Sequence, residues 1–163
     1  MADPVTLKFV KKKVYTGVRK SNKTTIGTMA TGDLILDGTS YSAISGPWQK
    51  GVLPNATYTV KKYNVVDTGL QAGFKSATGK QFFIPLEQPS SIKRSGFGIH
   101  PDGNLEGTQG CIGIVGSDAD SFWKAWMKLS LKKRPDKIVV SGKTDAGTNT
   151  YTIDNKGSTG SGE

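Results

Sequence analysis

One cysteine and one histidine are all the thiol and imidazole these 163 residues contain. A single cysteine excludes an intramolecular disulfide framework, and with one histidine and no C-x-x-C pair the usual structural zinc sites are excluded as well. No metal or cofactor is expected. Long hydrophobic runs are missing too: no stretch approaches the roughly 20 apolar residues of a membrane-spanning helix. The opening MADPVTLKFVKKKVYTG has no apolar run longer than two residues, so it lacks the basic-then-apolar order of a secretory signal. The expectation is a product made in the cytoplasm without a signal peptide, which any work outside would require some other route to deliver. Acidic residues are few, 13 Asp and Glu against 22 Lys and Arg, for a formal charge of +9. That excess favours an anionic partner, whether nucleic acid, a membrane surface or a cell-wall polymer, without choosing among them.

What is present reads as strands. Over the first hundred residues β-branched and aromatic residues alternate with polar ones between Gly, Asn and Asp, and helical periodicity is nearly absent. The alternation predicts short strands: a hairpin over 33–44 turning at Asp37-Gly38, then strands over 56–66 and 80–86, the latter held to an edge or a strand end by Pro85. SGFGIH is predicted to be a strand ending at His100, and CIGIV, residues 111–115, another. GSDADSFWKAWMKLSL is the one convincing helix, with Ser117 and Asp120 in capping-box positions and an apolar stripe of Phe122, Trp123, Trp126, Met127 and Leu129. Strands at DKIVVSG and NTYTI follow. The expected fold is mostly β, a sandwich or barrel-like sheet, with one main helix after the strand that follows the cysteine. One domain spans residues 1–154, and 155–163 reads as a flexible tail.

The two unique residues, His100 and Cys111, lie eleven positions apart in GFGIHPDGNLEGTQGCIGIV, residues 96–115, among six glycines. A thiol at its ordinary pKa near 8.5 is only about 3% thiolate at pH 7, so a catalytic cysteine requires a base or a cation nearby. His100 is the only imidazole to serve. PDGN is a strong turn-former, and Gly107 and Gly110 around Thr108-Gln109 allow backbone N–H groups to face a developing oxyanion. From the residues alone two readings stay open: an inert buried cysteine beside an unrelated histidine, or a nucleophile with its base. Dinucleotide binding is disfavoured, because GTQGCIG lacks the G-x-G-x-x-G register and precedes a strand.

A histidine, a loop and then [Ser/Thr]-x-Gly-Cys-[Ile/Val] resembles the catalytic domain of the L,D-transpeptidase (YkuD-like) family of bacterial cell-wall enzymes. The likeness is tight over 96–115 and looser over 32–115, where GDLILDGTSYSAISG and LPNATYTV resemble strands of a shortened branch found in phage proteins and type VI secretion effectors. It implies Cys111 as nucleophile, His100 as base, the main-chain carbonyl of Pro101 as the third element, and Thr108 and Gly110 at the family's positions before the thiol. The backbone of Gln109, Gly110 and Cys111 is then expected at the oxyanion, with Asp102 and Gly98 against the substrate. The implied substrate is the peptide stem of peptidoglycan, and the implied setting a phage lysis protein or an antibacterial effector acting in the periplasm, as a monomer, the effector case bringing an immunity protein as partner. Gln109 and Gly113 stand where housekeeping members carry a histidine and an arginine that hold the donor stem, which shifts the expectation from cross-linking toward hydrolysis or exchange. Two other classes compete. One is a catalytically inactive wall-binding or phage structural module of the same fold. The other is a nucleic-acid binder, which is not expected because the aromatics do not interleave with the basic groups.

Overall fold

Asp37 and Gly38 both adopt positive φ, 49° and 84°, the two-residue turn whose twist matches paired strands. The hairpin they close is formed by β2 (Thr25–Leu36) and β3 (Thr39–Ser45). In the computed structural model, which describes residues 3–49, 51–103 and 107–153, seven further strands and one helix complete the fold. They are β1 (Leu7–Arg19), β4 (Ala56–Val60), β5 (Ile84–Glu87), β6 (Phe97–Pro101), β7 (Ile112–Ile114), α1 (Asp118–Lys128), β8 (Lys137–Gly142) and β9 (Thr150–Ile153). Neighbours run β2-β3-β7-β6-β5-β4-β8-β1, and β1 pairs back onto β2, so eight strands close into a barrel. Two pairings in the ring are parallel, β6–β7 and β1–β8.

The opening strands are longer than expected. β1 runs for 13 residues and β2 for 12, because β1 serves two neighbours in succession. Its first half pairs with β8 at Lys8–Lys11 and its last four residues with β9, and the register slips at Lys12 between the two. A bulge of this kind bends a strand and increases its twist, which lets β1 leave the ring and carry β9 outside it.

Alternating apolar residues fill the barrel. Leu7, Phe9, Leu34, Tyr58, Ile84, Ile99, Ile112, Ile114 and Ile138 belong to one buried cluster, and Phe122 and Trp126 of α1 join it. Along α1 the buried stripe is Ala119, Phe122 and Trp126; Met127 is exposed, and Trp123 lies flat on Phe82 at 4.6 Å. A second, small cluster of Trp48 and Ile153, flanked by Ile26 and Tyr151, sits under β9.

Three local expectations change. The strand predicted over 56–66 ends at Val60, and the chain turns through Lys61–Asn64 before Val66 bridges to Phe83. Pro85 lies on an inner strand, between β4 and β6. It is tolerated because its carbonyl accepts from Lys61 N, just past the end of β4, so its missing N–H faces the place where that neighbour stops. Ser117 caps nothing with its side chain: it is already helical in backbone, Asp118 instead accepts from Ser42 N at 2.7 Å, and Asp120 accepts from Ser76 and Thr78. The tail over 155–163 lies outside the described residues.

Candidate active site

β6 and β7 run parallel with Ile99 opposite Ile112 and His100 opposite Gly113. Ile99 and Ile112 point into the core, so the strand alternation turns His100 to the outer face. Cys111 stands immediately before β7, two residues ahead of Gly113, the partner of His100. Strand spacing puts the two Cα atoms on the order of 8 Å apart on this diagonal, a separation that an imidazole and a thiol can bridge.

His100 is held from below and covered from above. Its Nδ1 is 2.7 Å from the Pro101 carbonyl oxygen, and since a carbonyl only accepts, Nδ1 carries the proton. Nε2 is therefore the unprotonated nitrogen, and it is buried without a hydrogen-bond partner among the described residues. Phe74 meets the ring edge-on at 4.5 Å and Phe83 lies nearly parallel to it at 6.0 Å. With 1% of its surface exposed, the imidazole sits where a positive charge is poorly solvated, and burial pushes its pKa down to about 4 despite the opposing pull of the Pro101 carbonyl. The resting histidine is neutral.

Thr108 organises the approach to the cysteine. Its hydroxyl donates to the Cys111 carbonyl at 2.7 Å and accepts from Gly46 N at 3.0 Å and Gly110 N at 3.2 Å. Its backbone is stitched to the same segment, Thr108 N to Gly46 O at 2.7 Å and Trp48 N to Thr108 O at 3.0 Å. The short residue next to it has a steric reason: at Gly107 (φ 93°) a Cβ would meet Gly46 O at 2.7 Å. Asp102 fixes the other side of the loop, accepting from Gly107 N at 3.1 Å. Residues 104–106, within that loop, lie outside the described residues.

The expected site residues thus divide. His100 and Pro101 lie on β6, Cys111 immediately before β7 and Thr108 in the loop between them, with no hydrogen bond joining His100 Nε2 to the thiol. The Gly110 N–H is turned onto Thr108, which removes it from the set expected to face an oxyanion. Asp102 pins the loop. Gly98 is buried with the Phe83 ring over it, 2.2 Å from where a Cβ would stand, so this glycine makes room for the cover on His100 and does not face open space. At Gly113 a Cβ would already meet Asp102 Cβ and Thr108 Cγ2, each at 3.0 Å, so the space an arginine would enter is filled.

One candidate site residue carried no sequence signal. Arg94 holds the carbonyls of Val52 (3.1 Å) and Gly51 (3.5 Å), and its Nη2 lies 2.7 Å from where a Gly110 Cβ would stand. Burial lowers its pKa, and negative charge at Tyr58 and then at Cys111 opposes the shift, so guanidinium and thiol are electrostatic neighbours. The thiol itself is 3% exposed and donates weakly to Gly96 O at 3.7 Å. Because His100 is neutral, the cation beside the cysteine is Arg94. Its partners lie 42 and 43 residues away in sequence, a separation no local pattern reveals. Among the described residues no group of three or more His, Cys, Asp or Glu is placed to hold a metal ion.

No family model, curated protein or solved structure matches this chain.

Proposed function

We propose that this chain is a cysteine enzyme acting on the peptide stems of bacterial peptidoglycan, in the manner of the L,D-transpeptidases that its His100-to-Cys111 segment resembles. The observation that carries the reading is the buried Nε2 of His100, without a hydrogen-bond partner among the described residues and in a tautomer fixed by Pro101. A neutral imidazole with a free lone pair is the form a general base requires. In the proposed reaction Nε2 takes the thiol proton as Cys111 Sγ attacks an amide carbonyl next to diaminopimelate. The C–S bond forms, the oxyanion is held by the backbone N–H groups of Gln109 and Cys111, and the C–N bond breaks as Nε2 returns the proton to the leaving amine. Water, giving its proton to Nε2, then displaces Sγ from the thioester; an amine acceptor would give exchange instead. Arg94 favours the thiolate through its charge.

Hydrolysis or exchange is proposed over cross-linking, since the family's donor-holding side chains are Gln109 and Gly113 here. Incubation with sacculi followed by mass spectrometry of the muropeptides tests this: shortened or D-amino-acid-exchanged stems support it, and 3-3 cross-links as the main product overturn the inference from those two positions. The deep burial of both His100 and Cys111 favours a second reading, an inactive wall-binding module of the same fold. Pelleting with sacculi without any change in the muropeptides would establish that one.

A further inference from the structure

Beside Arg94 opens a cleft of about 480 Å³ between β1, the start of β2, residues 51–55 and the chain after β8. Its charge is one-sided. Lys11, Arg94 and Lys143 line it, and its described lining includes no carboxylate. Lys11 is the unusual member: a lysine 2% exposed, whose Nζ donates to Leu53 O at 2.9 Å and has two further protons without a partner among the described residues. Burial lowers its pKa to about 8, which still leaves most of it charged at neutral pH. Arg94 Nε is likewise buried, with no hydrogen-bond partner among the described residues. A buried ammonium and a buried guanidinium N–H lining one cleft cost free energy that an anionic ligand would offset.

We infer that this cleft is a subsite for a carboxylate-bearing peptide, whose anionic group sits between Lys11, Arg94 and Lys143 while its acyl group reaches Cys111. Arg94 is shared by cleft and thiol, so one side chain couples recognition of the anion to the nucleophile. The inference rests on the proposed peptide chemistry only for the origin of the carboxylate. Of the carboxylates in a peptidoglycan stem, the two nearest the scissile amide qualify, the chain terminus and the side-chain centre of diaminopimelate.

Two measurements test it. The first needs no stem peptide: Cys111 is alkylated at low ionic strength with iodoacetate and with iodoacetamide, the same electrophile with and without a negative charge, and the ratio of rates is compared between wild type, Lys143→Glu and Lys11→Met. Lys143 is exposed, so its reversal leaves the fold intact even where the buried Lys11→Met does not. The ratio is expected to fall at least threefold; an unchanged ratio in Lys143→Glu overturns the cationic subsite. The second uses calorimetry on Cys111→Ala with a tetrapeptide stem as the free acid, as the diaminopimelate amide and as the C-terminal amide. One amidation is expected to weaken binding at least tenfold and so identify the carboxylate, and equal affinity for all three overturns the proposal. If the alkylation ratio responds but no stem binds, the peptidoglycan reading fails and the carboxylate subsite stands.

Discussion

Phe83 lies over Gly98 and against His100 at once: the ring occupies the space a Cβ at position 98 would take, and stacks on the imidazole at 6.0 Å with an interplanar angle of 17°. A missing side chain on one strand therefore sets the dielectric surroundings of the imidazole two residues later.

That cover makes stability depend on pH in a definite direction. His100 has a folded pKa of about 4 against 6.5 for a free imidazole. Below pH 6.5 the unfolded chain binds a proton that the folded one refuses, so stability is complete above 6.5 and falls as the pH drops toward 4, after which the slope vanishes. The full loss is on the order of 3 kcal/mol. Urea denaturation between pH 4 and 7.5 in wild type and His100→Gln reads it; parallel curves for the two proteins would remove the buried neutral histidine as its source.

Removing Cys111, the proposed nucleophile, and removing His100, its proposed base, should differ in their structural cost. Cys111→Ala is expected to abolish turnover of sacculi with melting temperature nearly unchanged. His100→Ala should abolish turnover as well, and also destabilise by about 2 kcal/mol, because it leaves a cavity between Phe74 and Phe83. Muropeptide analysis with thermal melts checks both, and activity surviving in either variant rules out the mechanism.

Arg94→Gln should move the pH midpoint of Cys111 alkylation by iodoacetamide upward, since the thiolate loses its neighbouring cation. Arg94→Lys should restore part of the shift. A midpoint that does not move would mean that the guanidinium serves only the Gly51 and Val52 carbonyls.

Thr108→Val retains shape and deletes the hydroxyl, leaving the Gly46 and Gly110 N–H groups and the Cys111 carbonyl without their shared partner. The expected loss is about 2–4 kcal/mol, with Thr108→Ser retaining most of it. Chemical denaturation of the three proteins decides; a valine variant as stable as wild type would show that the hydroxyl network is dispensable.

Local features were legible where a single residue type dictates them. The turn at Asp37-Gly38 requires two positive φ values, and that dipeptide supplies them; α1 announces itself by Phe122 and Trp126 at helical spacing. The one histidine and one cysteine pointed to a pair of strands that do lie side by side. Features built by distant contacts were not legible. Nothing in LKFVKKKVYTGVR says that β1 changes partner at Lys12, nothing near Arg94 names the carbonyls it binds, and Pro85 reads as an edge signal because the end of β4 cannot be seen from it. Ser117 and Asp120 have the capping-box pattern, but β3 and the 76–78 turn compete for the carboxylates of Asp118 and Asp120 and win.

The parallel seam where Lys8 meets Val139 dictates when this fold can exist. A ribosome releases β1 long before β8, so the early strands wait with one side unpaired while nearly everything else is translated. Closing such a long loop is entropically slow, and β-rich folds with distant pairings are the slowest class to form. The ring therefore cannot shut until β8 has been made, and a nascent chain interrupted before residue 137 carries the histidine and the cysteine without the barrel that surrounds them.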